Sequence, residues 1–236
     1  MPHEALNVQQ VARYLNLPER DVLRLAARGR LPARRVNGGF EFRKGQIDQW
    51  VEQHMPELSR DRLADIERGV SAHHGLDAHS AIVTPLLPPD GIQVPLGGRT
   101  RDGVLRALTD AADRAGLVYD RAELLEELRR RERLGSTAIF PGVAFPHPTH
   151  PLPYHIAESF IIAGLTPGGV PFGCRSGGLT RLFFLICCKD ERTHLHVLAR
   201  LARMLDGRTV EVLSACQNAA QMRARLLERE QALLGG

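Results

Sequence analysis

The sequence predicts an α/β fold: a mixed β-sheet flanked by helices over residues 80–236, preceded by a small helical unit that carries a hairpin. Three features predict it. Short apolar runs at 137–140, 142–146, 159–163 and 182–188 alternate with amphipathic helical segments, as in a layered α/β domain. The run at 182–188 is apolar throughout, as expected of a central strand covered on both faces. The first sixty residues follow another rhythm, with helical periods broken by Leu17-Pro18, Gly29 and Asn37-Gly38.

At 236 residues the chain holds one large domain or two modest ones. A hydrophobic share of 43% and a charged share of 25% are those of an ordinary globular protein. No run approaches the roughly 18 apolar residues of a membrane span. Met1-Pro2-His3-Glu4-Ala5 lacks the basic stretch and apolar core of a secretion signal, so a cytoplasmic location without membrane association is expected. Cys174, Cys187, Cys188 and Cys216 form no C-x-x-C pair and read as reduced core thiols, with a cysteine nucleophile as the alternative. Net charge is only +4, but it is unevenly placed: residues 20–35 hold six arginines and a single acid, Asp21. Clustered cations of this kind attract phosphate backbones, whereas a solvated basic face is the plain alternative.

In the first sixty residues, Asn7 caps a helix over 8–15, with Val8, Val11, Ala12 and Leu15 on one stripe. Leu17-Pro18 makes a corner, and Pro18 opens a second helix to about residue 28 with Val22, Leu25 and Ala26 inward. Arg20, Arg24 and Arg28 are spaced by four and share its other face. Gly29 ends it. Residues 34–43 read as a hairpin turned by Asn37-Gly38, since Asn-Gly supplies the positive φ angles of a two-residue turn. A third helix over 44–53 packs Ile47, Trp50 and Val51. Helix, turn, helix, hairpin, helix is the order of a winged helix-turn-helix, here over residues 1–56.

The stretch resembles the excisionase and MerR-like DNA-binding family. The residues that carry the resemblance are Val11-Ala12-Arg13-Tyr14-Leu15, Val22-Leu23-Arg24-Leu25, Gly29-Arg30-Leu31-Pro32-Ala33 and Phe42-Arg43 with Trp50. The resemblance implies that the second helix enters the major groove while the wing touches the backbone. It makes Arg20, Arg24 and Arg28 of the helix, and Arg34 and Arg35 of the wing, the DNA-binding candidates. A small helical domain that binds protein is the alternative. Residues 57–79 read as a linker holding a short helix at about 60–69. Its His73, His74 and His79 have no acidic or thiolate partner in a flexible stretch, and no metal is expected there.

In residues 80–236, Thr100 caps a helix over 101–115, and another helix follows at about 121–131. Thr193 is read as the cap of a helix over 193–205, ended by Asp206-Gly207, with two more helices after Arg208. On the helix from 193, His194 shares a face with Leu198, Leu201 and Leu205, and His196 with Arg200 and Arg203. Periodicity therefore turns His194 inward and His196 to solvent. A neutral imidazole in the first turn, where the helix dipole disfavours imidazolium and attracts anions, suits a phosphoryl ligand. A capping histidine without chemistry is the other reading. His147 ends the run 142–146 and is flanked by Pro146 and Pro148, which hold the backbone out of helix. An imidazole with an ordinary pKa of about 6.5 is largely neutral and nucleophilic near pH 7.

The order Arg131-Glu132-Arg133-Leu134-Gly135-Ser136-Thr137, then Gly142-Val143-Ala144-Phe145-Pro146-His147, then Thr193-His194-Leu195-His196-Val197-Leu198 resembles enzyme IIA of the bacterial phosphoenolpyruvate-dependent phosphotransferase system, in its mannitol/fructose and nitrogen-regulatory class. The resemblance covers about residues 80–232. It implies the enzyme IIA fold and a phosphohistidine relay: His147 takes a phosphoryl group from a histidine phosphocarrier protein, by family analogy on the ε nitrogen. His194 contacts that group and Arg131 neutralises its charge, with Ser136 and Thr137 as phosphate-contact candidates. One departure is plain. The family usually carries glycine after the phosphorylated histidine, and Pro148 stands here without a backbone N–H. His147, His150 and His155 form a cluster without a close carboxylate or thiolate, and neither metal nor cofactor is expected.

Together these features predict a transcription regulator that accepts phosphate on His147 and binds DNA through its first domain, with regulatory protein targets as further partners. The alternatives are a DNA-binding regulator whose IIA domain is an unphosphorylated scaffold or sensor, and a transport component passing phosphate to a separate IIB protein.

Overall fold

The computed structural model describes residues 4–77, 79–138, 140–174 and 177–235. The chain divides into two compact units, Met1–Ser80 with Leu198–Arg203, and Ala81–Val197 with Met204–Gly236.

The first unit opens with strand β1 (Ala5–Leu6) and helices α1 (Val8–Tyr14) and α2 (Glu19–Ala27). Asn7 caps α1 in a reciprocal box with Gln10, and Pro18 sits at the cap of α2 rather than inside it. Strands β2 (Arg34–Val36) and β3 (Gly39–Arg43) form the expected hairpin, with Asn37 and Gly38 at φ 48° and 80°. Strand β1 pairs antiparallel with β3, placing Leu6 opposite Phe42, so the wing is a sheet of three short strands. Helix α3 (Lys44–His54) buries Ile47 and Val51, whereas Trp50 is only half-buried, stacking on His54 and donating Nε1–H to the Arg30 carbonyl at 2.6 Å. Lys44 is fully buried. Its ammonium meets Asp48 at 2.6 Å, and Asp48 also accepts the Tyr14 hydroxyl at 2.6 Å.

Residues 57–79 differ from the expected linker. Helix α4 runs Arg60–His74, capped by Ser59 and stopped by Gly75 in the left-handed region. Its stripe Leu63, Ile66 and Val70 is buried, with spacings of three and four that extend the helical pattern past residue 69. His73 and His74 lie in its last turn, edge-on to the Tyr14 ring, and His73 Nε2 is 3.8 Å from Glu4. The expectation of histidines in a flexible stretch without an acidic neighbour is thus corrected. Gly69 touches α1 so closely that a Cβ there would collide with the Tyr14 and Arg13 carbonyls. Within this unit Glu67 is fully buried and accepts from Arg200 Nε and Arg203 Nη1, each at 2.5 Å.

In the second unit, strands β4 (Ile92–Gln93), β5 (Val143–Ala144), β6 (Phe160–Val170) and β7 (Thr180–Cys187) form a mixed sheet in the order β4-β6-β7-β5. Strands β6 and β7 are antiparallel, with Phe160 opposite Cys187 and Leu165 opposite Leu182. Strand β5 runs parallel to β7 and β4 parallel to β6. All eight residues of β7 but Arg181 are buried, as its composition predicted. Strand β6 runs past the expected end at residue 163, because an irregularity in register after Leu165 accommodates Pro167-Gly168-Gly169. The run 137–140 forms no strand among its described residues. Its Thr137 main chain is tied to Glu132, and Ile139 lies outside the described residues.

Helices α5 (Arg101–Arg114) and α6 (Arg121–Leu134) pack on one face of the sheet, in a cluster with Phe160, Ile162, Phe183 and Leu185. Ile161, Phe184 and Ile186, which alternate with these, are also fully buried. Helices α7 (Glu191–Met204), α8 (Gly207–Ser214) and α9 (Ala219–Leu234) follow. Asp206 is the N-cap of α8, accepting from Thr209 N, rather than part of a C-cap for α7. Near the end of α9, buried Glu230 accepts the backbone N–H groups of Ile82, Val83 and Thr84, each at 2.8 Å, and the Thr84 hydroxyl at 2.7 Å. Among the described residues no helix is long and apolar enough to cross a membrane.

Gly69→Ala lowers stability by about 1–3 kcal/mol, the usual range for overpacking against an unyielding neighbour, and denaturant unfolding monitored by Trp50 fluorescence checks it. Glu230→Ala orphans three backbone donors, one buried and two half-buried, at a cost of roughly 2 kcal/mol or more. Burial opposes the Glu230 charge, but the bonds from Thr84, Val83 and Ile82 outweigh it and hold the carboxyl below its ordinary value of 4.5. A depressed folded value contributes stability above that pH, and the contribution is lost as pH falls through the lower folded value. Glu230→Gln therefore flattens the acid limb of a thermal-stability profile.

Candidate functional site

Strands β5 and β7 are adjacent and parallel, so the segments leaving their carboxyl ends emerge side by side. From β5 the chain continues through Phe145, whose ring packs edge-on to Phe184 at 5.9 Å, and through Pro146, whose carbonyl accepts Ile186 N–H at 2.9 Å. His147 follows and is 4% exposed. From β7 the chain turns through Cys188, Lys189 and Asp190 into α7, whose first turn carries His194. The two rings meet with centroids 4.9 Å apart, tilted by 56°. The pairing expected from two segments distant in sequence is therefore present in three dimensions.

The hydrogen bonds of His147 determine its tautomer. Its Nδ1 lies 2.7 Å from the Phe145 carbonyl, which can only accept. Its Nε2 lies 3.1 Å from Arg131 Nε, which can only donate. Nδ1 therefore bears the proton and Nε2 offers its lone pair. Arg131 projects from the last turn of α6, and its Nη1 donates to the Gly135 carbonyl at 2.9 Å. Gly135 ends the helix at φ 151°, a conformation that favours glycine.

The start of α7 departs from the sequence expectation. Asp190, not Thr193, holds the cap, accepting Thr193 N–H at 2.9 Å and its hydroxyl at 3.0–3.1 Å. Burial opposes the charge on Asp190, but the Thr193 bonds prevail and keep its carboxyl below the ordinary range. The helix end is thus already answered by a carboxylate of the protein, and the cations for an added anion must come from side chains. His194 is half-buried as its periodicity indicated, but His196 is 1% exposed and Arg200 is fully buried. The second face of α7 is not solvated. Hydrophobic periodicity misread it because pairing with Glu67 offsets the desolvation of Arg200 and lets a charged side chain occupy a buried position.

The two hydroxyl candidates are engaged within the protein. Ser136 donates to the Phe172 carbonyl at 2.9 Å. Thr137 is 1% exposed and donates both its hydroxyl and its N–H to Glu132, the latter at 3.0 Å. Glu132 supplies one carboxylate oxygen to both of these bonds. It is 5% exposed, and burial raises its pKa against the opposing Thr137 bonds and the charges of Arg101 and Arg131. Pro148 is buried beside His147, and His150 is exposed. Burial likewise pushes the Cys187 thiol well up, in keeping with a core cysteine rather than a nucleophile.

In the first unit, Arg20 and Arg24 are exposed on α2 and Arg28 at its C-cap, and Arg34 and Arg35 are exposed on the wing. Arg24 pairs with Asp21 at 3.0 Å, a solvent-facing contact that leaves it available. The Arg35 guanidinium lies over the Phe40 ring at 5.5 Å. Leu23 is 43% exposed beside these arginines.

Residues 85–229 match the family described as phosphoenolpyruvate-dependent sugar phosphotransferase system, EIIA 2, and residues 5–55 match a helix-turn-helix domain family. A nitrogen regulatory protein of Bradyrhizobium diazoefficiens is 30% identical over 125 residues, which are 52% of this chain and 79% of that protein. The fructose-specific EIIABC component of Bacillus subtilis is 29% identical over 125 residues, but the match spans only 19% of its length. Among solved structures, nitrogen regulatory protein IIA-Ntr of Neisseria meningitidis aligns with a TM-score of 0.55 at 24% identity, over 62% of this chain and 99% of that one. IIA mannitol of Escherichia coli aligns with a TM-score of 0.52 at 22% identity, over 58% and 96%. These structures share the mixed-sheet fold. The chain belongs to the EIIA 2 family of the phosphoenolpyruvate-dependent sugar phosphotransferase system, fused to an N-terminal helix-turn-helix domain.

Proposed function

We propose that this protein is a nitrogen-regulatory type of enzyme IIA that accepts a phosphoryl group on His147 and regulates transcription through its helix-turn-helix domain. The observation that carries the reading is the hydrogen bonding of His147, which leaves Nε2 unprotonated between Arg131 and the His194 ring. In the reaction the Nε2 lone pair attacks the phosphorus of a phosphohistidine on a phosphocarrier protein. The N–P bond of the donor breaks in line, and its electron pair returns to the donor imidazole. Arg131 exchanges its bond to Nε2 for one to a phosphoryl oxygen, and His194 supports the same group. The Nδ1–H bond to Phe145 persists and stabilises the positive charge that develops on the ring. The phosphorylated protein then carries about 1.5–2 additional negative charges, which alter operator affinity or the choice of protein target.

On the DNA side, α2 enters the major groove and Arg34 and Arg35 of the wing meet phosphates. The support is the helix-turn-helix match together with the exposed arginines.

Pro148 favours a second reading, an unphosphorylated scaffold or sensor, because no backbone N–H is available at that position to meet a phosphate. Incubation with enzyme I, phosphocarrier and phosphoenolpyruvate separates the two. The relay yields one acid-labile phosphate by intact mass, absent in His147→Ala and formed about 100-fold more slowly in Arg131→Ala, the scale expected for loss of a charge-stabilising donor. An unmodified wild type would instead favour the scaffold. Against a duplex selected from a random pool, Arg34→Ala weakens binding evenly across sequences and lowers the salt slope by about 1, as for a single phosphate contact, measured by titration at several salt concentrations.

A further inference from the structure

We infer that Glu132 is a positioning residue for the reaction of His147, holding the nucleophilic ring in place from the side opposite Arg131; the inference rests on the phosphoryl-accepting role proposed above. Consecutive residues of α6 act on the two nitrogens of one imidazole. Arg131 reaches Nε2 directly, with Nε 3.1 Å away. Glu132 governs Nδ1 through the main chain. Its Oε1 accepts both the N–H and the hydroxyl of Thr137. The carbonyl of Thr137 accepts the Phe145 N–H at 3.0 Å, and the carbonyl of Phe145 accepts Nδ1–H of His147 at 2.7 Å.

The path is mechanical rather than electronic, because it passes through the covalent frames of Thr137 and Phe145. If Thr137 shifts, the Phe145 main chain loses a restraint, and the carbonyl that selects the tautomer shifts with it. Among the described residues, Glu132 Oε1 is the acceptor of the Thr137 main-chain N–H. The placement also accounts for a carboxylate at 5% exposure. Arg101 stands 4.0 Å from its second oxygen, too far for a tight ion pair, so the environment favours a fixed acceptor over a solvated charge. Thr137, read from sequence as a phosphate contact, takes a role in the same support.

The role requires an acceptor oxygen at position 132 rather than a charge, which separates it from simple stabilisation. The test uses the full chain and single-turnover transfer from phosphorylated phosphocarrier protein at a series of donor concentrations. Glu132→Ala lowers the maximal transfer rate about 10- to 100-fold, as displacement of a reacting group by an ångström does, and leaves the half-saturating donor concentration unchanged. Glu132→Gln, which retains an acceptor oxygen, restores the rate. Hydrogen exchange at the Phe145 amide accelerates in Glu132→Ala and not in Glu132→Gln. A folded Glu132→Ala that transfers at the wild-type rate overturns the inference. So does a Glu132→Gln as slow as the alanine variant, since charge would then be the requirement. If Glu132→Ala fails to fold, Thr137→Val takes its place with the same expectations for rate and half-saturation, and a wild-type rate in that variant overturns the inference. A wild-type protein that accepts no phosphate removes the phosphoryl-accepting role itself, an outcome distinct from a variant that behaves like an active wild type.

Discussion

The reaction proposed for the second unit depends on one hydrogen bond, from Nδ1–H of His147 to the carbonyl of Phe145. Without it the imidazole could exchange tautomers, and Nε2 would carry a lone pair only part of the time. With it, Nε2 faces the Arg131 guanidinium as an acceptor. A carbonyl only two residues away can serve because Phe145 and Pro146 are pinned. The Phe145 ring packs on Phe184, its N–H is held by Thr137, and the Pro146 carbonyl extends the ladder to β7 through Ile186. The sheet thus sets both the position of the ring and the nitrogen it offers.

The same sheet explains how two histidines remote in sequence come together. Strands β5 and β7 are parallel neighbours, and ligand sites of α/β proteins form beyond the carboxyl ends of such strands. His147 leaves one strand directly, and His194 leaves the other through a short turn and the first turn of α7. That turn is fixed by Asp190 at its head, while Lys189 donates its N–H to the Ser159 hydroxyl and its ammonium to the Ala157 carbonyl, both at 3.0 Å. An anion added here would lie close to Asp190. In the reaction proposed above, neutralisation falls to Arg131 in the last turn of α6.

Much of this was legible in the sequence because it rests on local rules. Asn37-Gly38 dictates the hairpin, the apolar run 182–188 dictates a central strand, and Asn7 and Thr100 mark helix starts by their side-chain acceptors. The short strands β1 and β4 escaped notice, since two residues carry no periodicity and pairing alone defines them. Helix α4 was cut short because Glu67, Gly69 and Ser71 look like surface or linker residues, whereas Glu67 is buried against arginines and Gly69 lets α1 approach. His196 and Arg200 were assigned to solvent for a related reason: periodicity reports polarity, not whether a polar group has a partner. In the site itself, His147, His194 and Arg131 could be named from sequence. The positioning role proposed for Glu132 could not, since it would act through the main-chain atoms of Thr137 and Phe145.

The most direct measurement is a long-range nitrogen–proton correlation spectrum of the histidine rings in the unmodified and the phosphorylated protein. In the unmodified protein His147 shows a protonated Nδ1 and an unprotonated Nε2, and in the phosphorylated protein the phosphorus couples to Nε2 of the same ring. A His147 that is protonated at Nε2 at rest, or that carries its phosphate on Nδ1, would contradict the account.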